Sequence, residues 1–278
     1  MKIHFLGTAA AEGFPNVFCN CDACTKAKQL SGKNIRTRSS VIVDDVLKVD
    51  YPPDVYMQAL RDGIDMSLVK DLLITHTHFD HLNAKELISR MEGYAHGIEW
   101  PLNIYGSDLA LYQCKQIFHE ENGGREQFRL NKLQPFKTYN IGEAKVTPLL
   151  ADHDPNETCL LFFIEKENTS ILYGNDSGWF PGETWDWLKG KTIDLTILDC
   201  TVGKTSNKFS RNHMSVETVI EVQKVFREMN VLTDHAKIVT THFSHNCGLL
   251  HNELVEIFEP YGIDVAYDGM IMNINKSQ

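Results

Sequence analysis

No stretch of the 278-residue chain approaches the roughly 18 consecutive apolar residues of a membrane-spanning helix. Met1 to Ala11 has neither the length nor the cleavage pattern of a secretory signal. A membrane protein and a secreted one are therefore disfavoured, and the cytoplasm is the expected location. An excess of positive charge is also missing: 27 Lys and Arg face 37 Asp and Glu, a formal charge of −10 that repels polyanions and argues against stable nucleic-acid binding. There is no long basic or Gly-Pro-rich arm, no interdomain linker and no short repeat. With 42% apolar and 23% charged residues the chain reads as an ordinary globular protein, and one domain of two similar halves is as plausible as two domains. Seven cysteines are few enough, in a reducing compartment, for spacing to matter more than parity. Cys114, Cys159 and Cys200 are scattered and read as small buried hydrophobes.

What the chain does have is concentrated in Thr75-His76-Thr77-His78-Phe79-Asp80-His81. The short apolar run Asp71 to Ile74 reads as a buried strand before it, and apolar residues at helical spacing predict a helix over Leu82 to Met91 after it. Three imidazoles and a carboxylate on one strand-to-helix turn are what a borderline divalent cation takes as ligands. In an extended segment His76 and His78 share a side, while Asp80 and His81 enter the next turn, so two ligand pairs can face two metals. The competing reading is a surface histidine cluster.

Further polar groups follow apolar strands downstream. His153 comes after Val146 to Leu150, Asp176 after Ser170 to Tyr173, and His242 after Ile238 to Thr241. Each alone is a weak signal, because an aspartate beside glycine is usually a turn former. A hairpin is expected with strands Val41 to Val43 and Val46 to Val49 joined at Asp44-Asp45, and Asp50 ends its second strand. Ser215 predicts the cap of a helix from Val216 to about Met229, with His213 just ahead of it. Glu120 to Arg125 reads as a turn, Ile263 to Ile274 as a final strand or hairpin, and Glu92 to Trp100 as a loop whose His96 would matter if it covered the site. Cys19, Cys21 and Cys24 place three thiols within six residues, enough to wrap one structural Zn²⁺ that needs a fourth ligand from elsewhere. Arg36 and Arg38 are candidate contacts for an anionic substrate, against the simpler reading of solvated surface arginines.

The motif H-x-H-x-D-H, with His153, Asp176 and His242 following in that order, resembles the metallo-β-lactamase superfamily in its hydrolase branch. The resemblance spans essentially the whole chain and implies a single domain over 1–278, α/β in class. It implies a four-layer αββα sandwich with a binuclear site at one edge: His76, His78 and His153 on one metal, Asp80, His81 and His242 on the other, and Asp176 bridging. Asp50 matches an aspartate that supports the ligand loop. Gly7-Thr8-Ala9-Ala10, the three cysteines, Arg36 to Ser40 and Thr241-His242-Phe243-Ser244-His245 look like the phosphoribosyl cyclic phosphate phosphodiesterase group associated with carbon-phosphorus lyase. That group implies His245 as the fourth structural zinc ligand and His213 as a catalytic acid near the phosphate. The cysteine pattern also occurs in the similar pyrroloquinoline quinone biosynthesis protein B.

The expectation is thus a metal-dependent phosphodiesterase acting on a small diester, a cyclic ribose phosphate or cyclic nucleotide. Asp80 and His213 would act in catalysis, with two divalent cations in the site, Mn²⁺ or Zn²⁺, Fe²⁺ being accommodated equally by nitrogen and oxygen ligands. A homodimer is compatible with the sequence. The alternatives are a non-catalytic metal carrier like the pyrroloquinoline quinone relative, and a tRNA 3′-processing type of endonuclease. The latter is disfavoured by the net acidity and the missing arm.

Overall fold

The computed structural model describes residues 1–120, 127–204 and 209–274. The first half of the chain builds β1 (Lys2–Gly7), β2 (Ser40–Val43), β3 (Leu47–Val49), β4 (Asp71–Leu73), β5 (Leu102–Gly106) and β6 (Phe128–Lys132). The second half builds β7 (Tyr139–Ile141), β8 (Ala144–Leu150), β9 (Leu160–Lys166), β10 (Thr169–Gly174), β11 (Ile193–Asp199), β12 (Leu232–Thr241) and β13 (Ile263–Val265). A last strand, β14 (Ile271–Asn273), returns to pair with β1. Two seven-stranded sheets result, in the orders β14-β1-β2-β3-β4-β5-β6 and β13-β12-β11-β10-β9-β8-β7.

Both sheets are mixed, antiparallel where hairpins join neighbours and parallel from β3 to β6 and from β10 to β13. Parallel neighbours need crossovers, which helices provide. The helices are α1 (Asp22–Leu30), α2 (Val55–Asp62), α3 (Asp108–Glu120), α4 (Gly182–Leu188), α5 (Val216–Glu228) and α6 (His251–Phe258). Alternation along β9 shows the layering. Leu160, Phe162 and Ile164 enter the core between the sheets with Val41, Val49, Tyr173 and Ile197, whereas Leu161 and Phe163 face outward toward Val222, Phe226 and Leu254. The first sheet has its own outer core, where Ile42, Leu72 and Ile104 meet Leu87, Ala110 and Phe118. Helix, sheet, sheet and helix layers follow, the αββα sandwich.

Ser215 caps α5 as expected, its hydroxyl accepting the Thr218 N–H at 3.1 Å. The hairpin at Asp44-Asp45 is present, both residues taking positive φ, with its second strand starting at Leu47. Two expectations are corrected. Leu82 to Met91 holds not an α-helix but a 3₁₀ helix, Ala84–Arg90, in which Ala84 and Leu87 lie one tight turn apart and face the outer core together. Ile263 to Ile274 divides into β13 and β14 in different sheets, because Thr8, Thr37 and Arg61 grip Asp268 between them. The turn read at Glu120 to Arg125 lies, beyond Glu120, outside the described residues. Among the described residues no helix is long and apolar enough to cross a membrane.

Candidate metal centre

Strands β3, β4, β8, β10 and β12 all run to one edge, and the residues just past their ends are polar. Asp50 follows β3, His76 to His81 follow β4, His153 follows β8, Asp176 follows β10 and His242 follows β12. Asp50, Asp176 and His242 all have positive φ, at 61°, 52° and 61°. Such a backbone costs on the order of 1–3 kcal/mol at a non-glycine residue and persists only where its surroundings hold it, which is typical of functional sites.

Two ligand groups assemble there. The candidate ligand atoms of His76, His78 and His153 lie within 4.8 Å of one another, and so do those of Asp80, His81, Asp176 and His242. His78 Nδ1 is 3.1 Å from His153 Nε2. In the second group His81 Nε2 is 2.5 Å from Asp176 Oδ2, 3.2 Å from Asp80 Oδ2 and 3.3 Å from His242 Nε2. Asp176 touches both sets, its Oδ2 3.6 Å from His76 Nε2 and its Oδ1 3.0 Å from His242 Nε2. The second group is buried, while His78 and His153 are half-exposed and open the site on one side.

Every imidazole in these groups is held from behind. His81 Nδ1 donates to Asp50 Oδ2 at 2.7 Å, His153 Nδ1 to the Asn212 carbonyl at 3.0 Å, and His78 Nε2 to Asp154 Oδ2 at 3.0 Å. His76 Nδ1 donates to Thr75 Oγ1, whose own proton goes to Asp50. His242 Nδ1 in the same way donates to Thr201 Oγ1, which hydrogen-bonds Asp199. A ring that donates outward presents the other nitrogen's lone pair inward, the tautomer a metal ligand needs. His76 Nε2 is buried with no hydrogen-bond partner, a costly arrangement unless a cation takes it.

The electrostatics point the same way. Burial works against charge on His81, yet Asp176, Asp80 and Asp50 hold its pKa well above the ordinary value. Burial likewise opposes ionised Asp176, but His242 and His81 keep it well below the carboxylate range. His76 is pushed down, by burial first and by the neighbouring His81 second. The cluster therefore holds ionised carboxylates that call for positive charge beside them, while His76 stays neutral. This donor set of imidazoles and carboxylates fits two divalent cations.

His213 stands beside the cluster, its ring centroid 4.8 Å from that of His153 and 5.5 Å from that of His242. Its Nδ1 is 2.6 Å from Asp199 Oδ2, so Nε2 is the free edge. Burial disfavours the imidazolium, but Asp199 outweighs it and holds the pKa up at about 9. Positive φ at Asn212 and the Ser215 cap fix the approach of this residue to α5.

Cys19, Cys21, Cys24 and His245 form a second, separate group within 4.8 Å. Cys19 Sγ and Cys21 Sγ are each 3.6 Å from His245 Nδ1. Tetrahedral zinc with bonds of ~2.3 Å to sulfur and ~2.05 Å to nitrogen spaces such atoms about 3.6 Å apart. The Cys24 N–H and His245 pull the Cys21 thiol down to about 6, while burial pushes Cys24 up to about 12.

The arginine expectation is corrected. Arg36 is buried, and its guanidinium is committed to Thr8 Oγ1, the Ala266 carbonyl and His251 Nδ1. Arg38 pairs with Asp54 at 3.0 Å and donates to the Ala11 carbonyl. Both pin the chain. His96 lines a cavity that includes none of the seven clustered residues. Sequence reasoning missed Asp199, Asp154 and Glu157; the last accepts both the N–H and the hydroxyl of Thr77. Asp199 carried a signal, for it ends a buried strand just as Asp50 does.

A coenzyme PQQ synthesis protein B from Acinetobacter baumannii (strain ACICU) is 22% identical, with 97% of this chain and 99% of that protein covered. Among solved structures, a diphosphatase of the PhnP family superposes with a TM-score of 0.74 at 21% identity, covering 99% and 98% of the two chains. Zn²⁺-bound PqqB from Methylobacterium extorquens gives 0.74 at 17% identity over 98% and 100%. The short form of human tRNase Z gives 0.68 at 16% over 99% and 100%. These likenesses show the fold. The family profile described as beta-lactamase superfamily domain matches residues 49–243, from the strand before Asp50 to just past His242, and the chain belongs to that superfamily.

Proposed function

We propose that the protein is a binuclear metal-dependent phosphodiesterase acting on small, cyclic ribose-phosphate or cyclic-nucleotide diesters. The observation that carries this reading is the His213–Asp199 pair at 2.6 Å, set against a seven-residue ligand cluster whose rings are all braced from behind. His76, His78 and His153 would hold one cation, Asp80, His81 and His242 the other, with Asp176 between them. When bound, two such cations supply a water of lowered pKa and positive charge against phosphate oxygens. His213 does the proton work. Asp199 fixes its tautomer and favours its charged form, so Nε2–H can donate to the leaving sugar oxygen or to the phosphate. Zn²⁺, Mn²⁺ and Fe²⁺ all suit the donors. Cys19, Cys21, Cys24 and His245 would hold a structural Zn²⁺ apart from the reaction.

The test is coupled release of phosphate from 2′,3′-cyclic nucleotides, a ribose 1,2-cyclic phosphate and a linear aryl phosphodiester, after loading with zinc or manganese separately. Turnover of cyclic diesters, abolished by Asp80→Ala, is the expected result. His213→Ala should lower kcat by ~10²-fold or more with metal content unchanged. The names of the curated relatives favour a second reading, a metal protein that serves cofactor synthesis without hydrolysing a diester. Two bound metals with no turnover on any diester would favour it.

A further inference from the structure

Behind the metal centre, on the outer face of the first sheet, lies a cavity of about 400 Å³. Its walls are apolar: Met66, Val69, Leu72, Leu87, Ile98 and Leu102 line it. Its inner end holds Lys48 of β3, which is fully buried. Lys48 Nζ donates to Ser40 Oγ, whose proton is directed to the Val49 carbonyl, and its tip lies 5.9 Å from the Tyr51 ring centroid. Among the described residues Lys48 has no other hydrogen-bond partner and no ion-pair partner. Burial pulls its pKa down to about 7 against the pull of Asp50. Arg90 adds a second cation to the lining, with Nε buried and without a partner. The exposed residues Asp65, Ser89 and His96 mark the end that meets solvent.

A buried ammonium with two unused protons is costly unless an acceptor completes it, and nothing in the cavity wall supplies a carboxylate at that end. We propose that this cavity binds a small amphiphilic carboxylic acid, its carboxylate on Lys48 and Arg90 and its hydrocarbon chain between Leu72, Leu87 and Leu102. The volume lies within the range of small-ligand pockets, and its apolar body with a few convergent polar groups is their usual character. The site is distinct from the metal centre but adjoins it. Tyr51 N donates to the His81 carbonyl, and the Tyr51 carbonyl receives the Asn83 N–H, so the cavity wall continues into the ligand loop.

Isothermal titration of the metal-loaded protein with octanoate, octan-1-ol and octylamine tests this. Octanoate should bind one per chain and at least tenfold more tightly than octan-1-ol, with octylamine giving no saturable signal. Lys48→Met should weaken octanoate at least tenfold, and Ala95→Trp, which puts a large side chain into the lining, should block it. If Lys48→Met does not fold, Ala95→Trp alone decides. Absence of octanoate binding, equal binding of the alcohol, or octanoate binding unaffected by Ala95→Trp, as a carboxylate on the metals would give, overturns the proposal.

Discussion

Asp50 ligates nothing in this arrangement, yet it fixes two rings at once, His81 directly and His76 through Thr75. Asp50→Ala should lower metal affinity ~10–100-fold, as loss of such outer partners does, read by competition with a chromophoric chelator. His251 shows a different kind of residue-level constraint. It accepts a hydrogen bond from Arg36 at 3.0 Å and so must stay neutral; burial first, then Arg36 and Lys33, push its pKa down to about 4. Between pH 6.5 and about 4 the unfolded chain binds the proton that the folded chain refuses, so stability falls as pH falls through that window. The urea midpoint of His251→Asn should therefore drop less between pH 7 and 4.5 than that of the parent. The candidate ligands His76, His78, Asp80 and His81 were legible because four metal-binding groups at such tight spacing suit little besides a cation. Asp154 and Glu157 were not, since a lone carboxylate in the loop between β8 and β9 reads as a turn or surface residue until its partner is in view.

At the level of elements, the cysteine loop and α1 stand or fall together. Cys21 is the N-cap of α1, its sulfur accepting the Cys24 N–H at 3.5 Å, and Cys24 belongs to the small apolar cluster with Ala9, Phe14 and Ala27. Cys21→Ser, or treatment with a chelator, should raise amide exchange across Asp22 to Leu30 well before the sheets open, as mass spectrometry would detect. Ser215→Ala should cost about 1 kcal/mol in chemical denaturation, the usual worth of a cap. It should also reduce turnover, because the same turn carries His213. The cap was legible from one serine ahead of an amphipathic run. The 3₁₀ geometry of Ala84–Arg90 was not, for the spacing of Ala84 and Leu87 satisfies both helical periods.

Across the whole molecule, stability rests on the layer between the sheets. Phe162→Ala there should cost ~3–5 kcal/mol, measured by chemical denaturation, because the surrounding strands cannot collapse around the lost ring. Alternation predicted which strands are buried; which strand neighbours which, as in β14 beside β1, was not legible because that pairing joins residues 2 and 273. The same separation governs the metal edge. His76, His78, Asp80 and His81 leave the first sheet, whereas His153, Asp176 and His242 leave the second. Cations held by both groups would act as a clasp on this rim of the sandwich, as the Lys166–Asp44 ion pair at 2.8 Å joins the sheets at the opposite one. Chelation should thus shorten survival under trypsin with the first cuts near the metal rim, so the lifetime of the protein in a cell would track the supply of its metals.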